Sequence, residues 1–471
     1  MAANAMNFAP SLADATPTPY WLDDPARPPV RPALTGDEHC DLLVVGGGYS
    51  GLWTALLAKE RDPARDVVLI EGREAGWAAS GRNGGFCAAS LTHGLANGLA
   101  RWPGEIAALD RMGEDNLDAI ERTVADHAID CDFERSGAID VATRPHHLTE
   151  LTELYERARG LGLGDGLALL DRDAVRARAN SPTFLGGLVD SRGTALLHPA
   201  KLAWGLKRVC LERGVRIHEN TPGQRLAATG SGMAVSTPYG RVFARRVALG
   251  TNVFPSLVRR VRPYTVPVYD YALMTEPLTE AQRDAIGWHG REGLADAANR
   301  FHYFRLTADH RVLWGGYDAV YPFGGRLNAD LDQRPRTYLT LAGNFFRCFP
   351  QLEGVRFTHA WGGAIDTCSR FSAFFGTAHR GRVAYAAGYT GLGVGASRFG
   401  ADVMLDLLAG ERTGRTALEM VRTKPLPFPP EPVAWAGIGI TQWSLARADD
   451  RGGRRNAWLR TLDRLGLGFD S

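Results

Sequence analysis

The sequence predicts an α/β protein in which a doubly wound domain with a parallel sheet is interleaved with an α+β domain on an antiparallel sheet. The first observation is an apolar strand, a glycine turn and a helix start at residues 41–55. The second is another apolar strand, Val67–Ile70, which ends in the acid Glu71. The third is a late strand, glycine turn and helix at residues 381–410. Strands that alternate with helices predict the parallel sheet.

The early glycine turn has the spacing of a dinucleotide site. Gly46 permits the tight turn, Gly48 lets the backbone approach a pyrophosphate, and Gly51 lets the helix pack close to the strand. The new helix presents free N–H groups and the positive end of its dipole, which favour a diphosphate. Glu71 follows about twenty residues later, where a carboxylate accepts hydrogen bonds from a ribose 2′-hydroxyl. The alternative is a glycine-rich turn in an ordinary βαβ unit.

A third block, Ser80–Gly85, distinguishes a flavin site from a nicotinamide site. The run from Gly76 to Gly85 is too rich in glycine for a crossover helix, and its small residues would let the backbone lie against a flat ring system. The side chains of Arg82 and Asn83 can donate to phosphate or to flavin carbonyls. A nicotinamide enzyme needs nothing special after its second strand, so the block favours FAD.

The late turn is Gly388-Tyr-Thr-Gly391-Leu392-Gly393-Val394, which leads into a helix that runs to Gly410. A helix N-terminus here could place its dipole at the flavin N1–C2=O edge, which gains negative charge on reduction. The alternative is a second glycine-rich βα turn without a ligand.

With these blocks the chain resembles the D-amino-acid oxidase, glycine oxidase and sarcosine oxidase superfamily of FAD enzymes, and Ser80–Gly85 looks most like its gamma-glutamylputrescine oxidoreductase branch. The resemblance implies a FAD-binding Rossmann-like domain of the glutathione-reductase type, interleaved with an antiparallel-sheet α+β substrate domain. The predicted FAD-binding residues are Gly46, Gly48, Tyr49, Ser50, Gly51, Glu71, Gly72, Arg73, Ser80, Gly81, Arg82, Asn83, Gly84, Gly85, Gly223, Gly388, Gly391, Leu392, Gly393 and Val394.

The chain departs from the family pattern at four positions. Gly223 stands where a valine is usual, and Leu392 where a histidine is usual. The cysteine that carries covalent FAD in sarcosine oxidases corresponds to Gly363 or Ala364, so the resemblance implies non-covalent FAD. The lysine that promotes oxygen reduction there has Trp314 as its nearest match. We therefore expect oxygen to be a poor acceptor, and a dehydrogenase is an open alternative to an oxidase.

The substrate would be a small amine or amino acid. Relatives that take amino acids can bind the carboxylate with an arginine near Arg305, and a planar bidentate fork suits that contact. Tyr271 and Tyr303 could wall an amine pocket, and Trp361 is the fourth candidate. The alternatives are a surface arginine in a sheet for Arg305 and an ordinary core for the aromatic residues.

Composition excludes several classes of protein. The net charge of +2 argues against an electrostatic nucleic-acid binder. No apolar run is long enough to span a bilayer, and the N-terminus does not resemble an export signal. The six cysteines lack metal or redox spacing, so we expect no metal site and a cytoplasmic location.

The predicted organisation has four parts. Residues 1–37 form a proline-rich arm that Tyr20 and Trp21 would attach to the body. The FAD-binding domain takes residues 38–100, 181–260 and 355–422, the substrate domain takes 101–180 and 261–354, and 423–471 is a C-terminal extension. Within 133–143 the pattern predicts two short strands around a turn.

The predicted reaction is oxidation of a C–N bond in a primary or secondary amine or an amino acid, with O₂ or another carrier as electron acceptor. Hydride would pass to flavin N5, and water would hydrolyse the resulting imine. One alternative is an NAD(P)-dependent dehydrogenase. The other is a flavin-bound protein with a structural or assembly role.

Overall fold

The computed structural model describes residues 6–467. The strands, numbered in chain order, are β1 (Glu38–Val45), β2 (Val67–Ile70), β3 (Phe86–Ala88), β4 (Ala138–Ala142), β5 (Leu167–Leu170), β6 (Gly186–Asp190), β7 (Thr194–Leu196), β8 (Arg216–His218), β9 (Arg225–Ala228), β10 (Met233–Thr237), β11 (Gly240–Leu249), β12 (Val266–Thr275), β13 (Gly293–Asp296), β14 (His302–Leu306), β15 (Val312–Gly316), β16 (Phe357–Thr367), β17 (Phe374–Ala378) and β18 (Val383–Ala387).

The α-helices are α1 (Tyr49–Arg61), α2 (Leu95–Arg101), α3 (Ile106–Asp126), α4 (Pro145–Gly160), α5 (Arg172–Arg178), α6 (Pro199–Glu212), α7 (Glu280–Ile286), α8 (Pro335–Cys348), α9 (Gly393–Ala409), α10 (Gly414–Ala417), α11 (Glu419–Arg422), α12 (Val433–Asp449) and α13 (Ala457–Arg464). Short 3-10 helices occupy Met6–Leu12, Tyr20–Leu22, Ala79–Gly81, Arg259–Tyr264, Phe323–Gly325, Ala329–Asp332 and Pro350–Leu352. Within residues 6–467, none of the helices has both the length and the apolar content to cross a bilayer.

The first sheet is the predicted Rossmann-like sheet. Its strand order is β17-β18-β11-β1-β2-β8, with β10 and β9 attached beside β11. The central strands β18, β11, β1, β2 and β8 run parallel to one another. All four residues of β2 are buried, because α1 and α6 cover one face of the sheet and the other face packs in a separate apolar cluster. The carboxyl ends of β1 and β2 therefore point the glycine turn and Glu71 toward one crevice.

The second sheet carries the substrate side of the molecule. Its order is β16-β12-β15-β14-β13-β4-β6-β5, and every pairing except the parallel β13–β4 pair is antiparallel. Side chains alternate across β12: Tyr269, Tyr271 and Leu273 enter the core beneath the sheet, whereas Val268 and Asp270 face the opposite side. The mixed α/β architecture with two large sheets confirms the predicted fold class.

The boundaries drawn from the sequence differ from the sheets at two places. Strands β6 and β16 belong to the second sheet, although 181–260 and 355–422 were assigned to the FAD-binding domain. Both are apolar strands next to a return point of the chain, and an apolar strand fits either sheet. The stretch 133–143 holds one strand, β4, rather than two, because Glu134 makes only an isolated bridge to Leu196.

The two terminal segments pack on the body. Trp21 is 1% exposed and lies in a cluster with Trp204 and Trp361, so the described part of the arm is anchored as expected. At the other end, α12 is held by the Asp449 carboxylate, which accepts hydrogen bonds from the backbone N–H groups of Asn299 (2.9 Å) and Arg300 (3.2 Å). The C-terminal extension is therefore part of the folded body.

Candidate active site and cofactor cleft

The two glycine turns that are far apart in sequence meet in space. The Ser50 hydroxyl, at the start of α1, donates a 2.9 Å hydrogen bond to the Tyr389 hydroxyl in the late turn. Both turns line one cavity of about 1960 Å³, which extends from Glu71 to the second sheet. A single ligand can therefore touch both turns.

The early turn has the shape that a bound dinucleotide requires. Gly46 has a φ of 110°, and a Cβ atom there would lie 2.4 Å from the Gly250 carbonyl oxygen. A Cβ atom on Gly51 would lie 1.8 Å from the Gly46 carbonyl oxygen, so only glycine allows α1 to start so close to the turn. Gly48 borders the cavity beside the Ser80 hydroxyl, which accepts a hydrogen bond from the Tyr49 N–H (3.0 Å). The turn therefore exposes backbone to a diphosphate at the N-terminus of α1.

Glu71 is placed for a ribose. Its carboxylate lines the cavity and accepts hydrogen bonds from the N–H groups of Gly47 (2.6 Å) and Arg73 (2.9 Å) and from Trp77 Nε1 (3.0 Å). Burial raises the pKa of Glu71. The Arg73 guanidinium lies 4.2 Å from the centre of the Trp77 ring. Gly72, Arg73 and Gly223 line the same end of the cavity, so these predicted positions come together.

The side chains of Arg82 and Asn83 make hydrogen bonds within the protein that the sequence did not predict. Arg82 donates to the carbonyls of Trp77 (3.0 Å) and Gly362 (3.1 Å) and pairs with Asp332 (2.6 Å). Asn83 donates to Ser80 O (3.1 Å) and accepts from the Gly85 N–H (2.8 Å). Both side chains border the cavity, and these hydrogen bonds hold the Ser80–Gly85 loop in shape. Donation from either side chain to the flavin stays a prediction.

Four predicted cofactor positions shape the cleft without lining it, namely Gly51, Gly81, Gly85 and Gly388. Gly85 and Gly388 have positive φ angles of 77° and 75°. A Cβ atom on Gly81 would lie 2.2 Å from the Gly76 carbonyl oxygen, and one on Gly85 would lie 2.2 Å from Leu197 O. The lining residues from the predicted set are Gly46, Gly48, Tyr49, Ser50, Glu71, Gly72, Arg73, Ser80, Arg82, Asn83, Gly84, Gly223, Gly391, Leu392, Gly393 and Val394.

The late turn is held by a buried carboxylate that the sequence did not single out. Asp366 is 1% exposed, accepts a 2.5 Å hydrogen bond from the Gly388 N–H, and lines the cavity. Burial raises the pKa of Asp366 to about 7. Gly391 has a φ of 93°, and α9 begins two residues later at Gly393. The N-terminus of α9 therefore opens on the cavity, as predicted, with Leu392 at its N-cap.

The face of the second sheet that carries Asp270 lines the part of the cavity beyond the two glycine turns. The Tyr303 hydroxyl donates a 2.7 Å hydrogen bond to Asp270 Oδ2, and the Tyr271 N–H donates a 2.8 Å bond to Oδ1. Within the described chain no cation lies within ion-pair distance of this carboxylate. Burial raises the pKa of Asp270 to about 6. A carboxylate inside an apolar strand was the sequence signal that we missed.

The Asp270–Tyr303 pair lies next to the Ser80–Gly85 loop, which we call the cofactor loop. A Cβ atom on Gly84 would lie 2.7 Å from the Tyr303 ring, and one on Gly315 would lie 2.4 Å from it. These two glycines let the ring pass over β15 from β14 to Asp270 on β12. Tyr303 thus lines the cavity as predicted, and it connects the substrate sheet with the Ser80–Gly85 loop.

The other two aromatic candidates, Tyr271 and Trp361, have their polar atoms bonded to the protein. Tyr271 lies at the edge of the cavity, but its side chain is 1% exposed and its hydroxyl donates to Leu331 O (2.8 Å) on the core side of β12. Trp361 lines the cavity, and its Nε1 donates to Arg82 O (2.9 Å). Strand alternation explains the first result, because Tyr271 follows Asp270 and must point the other way. Trp361 positions the cofactor loop.

Arg305 is not a substrate ligand in this structure. It is 1% exposed, does not line the cavity, and donates from Nη1 to Leu197 O (2.7 Å) and Gly85 O (3.2 Å). Its guanidinium lies 5.7 Å from the centre of the Trp21 ring. Two backbone carbonyls and Trp21 of the N-terminal arm therefore contact the Arg305 guanidinium, which the sequence analysis had assigned to a substrate carboxylate.

We expect Arg305→Leu to lower the free energy of unfolding by about 2–4 kcal/mol, because two buried carbonyls lose a charged donor. The KM for substrate should stay within about twofold in flavin-loaded protein, since the side chain is outside the cavity. Thermal unfolding and steady-state kinetics check both parts. The exposed Arg347→Leu is the matched control, with an expected change below about 0.5 kcal/mol. A tenfold higher KM with unchanged stability would return Arg305 to the substrate site.

Two charged residues extend the site beyond the predicted set. Asp140 on β4 points into the cavity, and burial with Asp190 nearby raises the pKa of Asp140 to about 6. Arg300 lines the cavity, with its guanidinium 4.6 Å from the centre of the Tyr317 ring and its buried Nε without a hydrogen-bond partner among the described residues. Neither position stands in a recognisable motif, so pattern reading could not find them.

The C-terminal extension supplies part of the wall of the cavity. The lining residues that it supplies include Phe428, Ala434, Ile438, Leu445 and Leu459. The Gln442 amide donates to Ala319 O (2.6 Å) beside the Asp449 anchor described above. The C-terminal extension therefore forms a wall of the site.

Paired glycine turns on a Rossmann-like sheet, facing an antiparallel substrate sheet across one cavity, define a flavin-dependent oxidoreductase. Residues 41–407 match the family model described as DAO, FAD dependent oxidoreductase, and the chain belongs to this family. The enzyme is therefore FAD-dependent, and the NAD(P)-dependent alternative is wrong.

Several known proteins are similar to the chain over most of its length. Gamma-glutamylputrescine oxidoreductase of Escherichia coli is 31% identical, over 79% of this chain and 84% of that protein. A probable oxidoreductase, OrdL, of Haemophilus influenzae is 27% identical, over 83% of this chain and 88% of that one. Among solved structures, glycine oxidase from Geobacillus kaustophilus superposes with a TM-score of 0.68 at 18% identity, covering 82% of this chain and 99% of its own. The last comparison supports the fold alone.

Proposed function

We propose that this enzyme oxidises the C–N bond of an amine that enters the cavity as an ammonium cation. The observation that carries the proposal is the Asp270 carboxylate, which lines the cavity beside the cofactor loop without a cationic partner among the described residues. The acidic wall at Asp140 adds to the negative potential of the cavity, which favours a cation. The E. coli relative is named for an amine substrate, in agreement with this class.

Amine oxidation needs a neutral nitrogen. With a pKa of about 6, Asp270 is mostly ionised at pH 7, so it can hold the ammonium group and take its proton. Tyr303 keeps Asp270 in place through the 2.7 Å hydrogen bond to Oδ2. When bound, FAD supplies the acceptor for the hydride that leaves the carbon next to nitrogen. The C-terminal wall limits water at that stage, and the released imine is then hydrolysed to a carbonyl compound.

The two glycine turns, Glu71 and the Ser80–Gly85 loop are the residues that we expect to hold FAD. We propose that the cofactor is bound without a covalent link, because none of the six cysteines lines the cavity. Cys368 is buried, and its thiol donates to Ser372 O (3.1 Å). We expect acid or heat denaturation followed by filtration to release all of the flavin. Yellow colour retained on the denatured chain would contradict this prediction.

An anaerobic screen tests the reaction class. The loaded enzyme is mixed with gamma-glutamylputrescine, putrescine, sarcosine and glycine, and flavin absorbance near 450 nm is followed. We expect the amines to bleach the flavin faster than glycine does. If no amine bleaches it, C–N oxidation is the wrong class. Air is then admitted to the reduced enzyme, and slow reoxidation would support a dehydrogenase, as the buried Trp314 outside the cavity suggests.

Arg300 gives a further prediction about the part of the substrate remote from the reacting nitrogen. A guanidinium with an unpaired, buried Nε in the cavity fits a carboxylate, which gamma-glutamylputrescine carries and putrescine lacks. We expect Arg300→Gln to raise the KM for gamma-glutamylputrescine about tenfold or more and to leave that for putrescine within about twofold. An equal rise in KM for both amines would show that Arg300 does not bind the substrate carboxylate.

A further inference from the structure

The C-terminal extension exposes many large apolar side chains. Seven of the fourteen exposed large apolar side chains of the described chain lie between residues 426 and 465. The Phe323 ring packs edge-on against the Trp435 ring, with 6.1 Å between the ring centres. We call this set the C-terminal apolar surface: Phe323, Leu426, Val433, Trp435, Ile440, Trp443, Trp458 and Leu465. So many exposed apolar residues in one segment indicate a binding surface.

Helix α12 explains how this surface arises. Only Arg447 and Asp449 are charged among its seventeen residues, so it has no polar face. Its inner side lines the cavity through Ala434, Ile438 and Leu445, whereas Trp435 and Ile440 on the outer side are 51% and 46% exposed. A helix that is apolar on all sides is normally covered on all sides, so the outer side needs a partner.

The charge of the C-terminal segment indicates what kind of partner this surface binds. The segment around the apolar side chains exposes five arginines, Arg447, Arg451, Arg454, Arg460 and Arg464, against the acids Asp450 and Asp463. The Arg447 guanidinium lies 5.3 Å from the centre of the Trp443 ring, so basic and aromatic groups share the surface. A second copy docked by two-fold symmetry would bring the same basic surface against itself, which like charges oppose. An anionic bilayer complements both features, because tryptophan favours the interface and arginine binds acidic headgroups.

We propose that the C-terminal apolar surface docks the enzyme onto an anionic membrane surface, with α12 lying on the headgroup layer and spanning nothing. Four residues of this surface also line the cavity, so the docked face would adjoin the rim of the cavity: Leu426, Val433, Trp443 and Trp458. The proposal rests on the outer side of α12, where Trp435 and Ile440 do not line the cavity, and it does not depend on the substrate.

Vesicle flotation with the flavin-loaded enzyme tests the proposal. We expect binding to phosphatidylcholine vesicles that contain about 30 mol% phosphatidylglycerol, weak binding to phosphatidylcholine alone, and release at high salt. The variant Trp435→Ser/Ile440→Ser changes two exposed side chains that do not line the cavity and should lower the bound fraction about tenfold. Tyr239→Ser, at an aromatic residue that is 50% exposed on the β10–β11 hairpin, is the matched control and should bind like the wild type.

A second variant, Arg451→Gln/Arg454→Gln/Arg460→Gln, tests the charge without touching the apolar residues. It should abolish the preference for phosphatidylglycerol, with the flavin spectrum and melting temperature serving as folding controls. Absence of wild-type binding to either vesicle overturns the proposal, and so does unchanged binding by both variants. A dimer in light scattering that Trp435→Ser/Ile440→Ser converts to monomer, without vesicle binding, would instead make this surface an interface between copies.

Discussion

Asp270→Asn is expected to slow anaerobic flavin reduction by an amine about 100-fold, while the protein still binds FAD. The substitution keeps the size of the side chain and its hydrogen bond with Tyr303, but it removes the charge that holds the ammonium group and the base that accepts its proton. Stopped-flow absorbance near 450 nm measures the rate. The surface variant Asp284→Asn is the control and should reduce at the wild-type rate.

The pH profile separates a base from a merely structural carboxylate. Because the pKa of Asp270 is about 6, the wild-type reduction rate should rise with pH through that value, as the carboxylate loses its proton. The Tyr303 hydrogen bond stabilises the ionised form and lowers the pKa of Asp270, so Tyr303→Phe should move this rise to higher pH. Asp270→Asn should remove it. A variant that keeps both the rate and the rise in the profile would exclude Asp270 as the base.

The second large effect is expected from Gly51→Ala, which should weaken FAD binding by tenfold to hundredfold. The new methyl group would lie 1.8 Å from the Gly46 carbonyl oxygen and 3.2 Å from Val44 Cγ1, so α1 must move away from the turn. Overpacking of this kind costs about 1–3 kcal/mol, which corresponds to that loss of affinity. The ratio of flavin to protein after dialysis, followed by titration with FAD, measures the effect.

Gly160→Ala is the matched control for the glycine substitution. Gly160 ends α4 on the surface, and a Cβ atom there would meet nothing within 4 Å. This variant should keep a full complement of flavin. If Gly51→Ala also kept its flavin with unchanged affinity, the early turn would not be the pyrophosphate site.

The sequence determined the cofactor cleft to the extent that backbone geometry defines it. Gly46, Gly48 and Gly51 were predictable because a tight turn beside a diphosphate excludes a Cβ atom. This requirement is visible in the sequence as glycines at a fixed spacing. Glu71 and the Gly388–Gly393 turn were predictable for similar local reasons. The protein hydrogen bonds of the Arg82 and Asn83 side chains were not predictable, because their partners are carbonyls that only the folded loop brings near.

The substrate side was decided by the tertiary structure. Arg305 carried the expected chemistry, yet its orientation depends on carbonyls of Gly85 and Leu197, which are remote in sequence. Asp270 lies on the face of β12 that is turned toward the cofactor loop. Because side chains alternate along a strand, Tyr271 points to the core. A backbone turn depends on residue types within a short stretch of sequence and can be predicted from it. The charge, the pKa and the solvent exposure of a side chain depend on the residues that the fold packs around it.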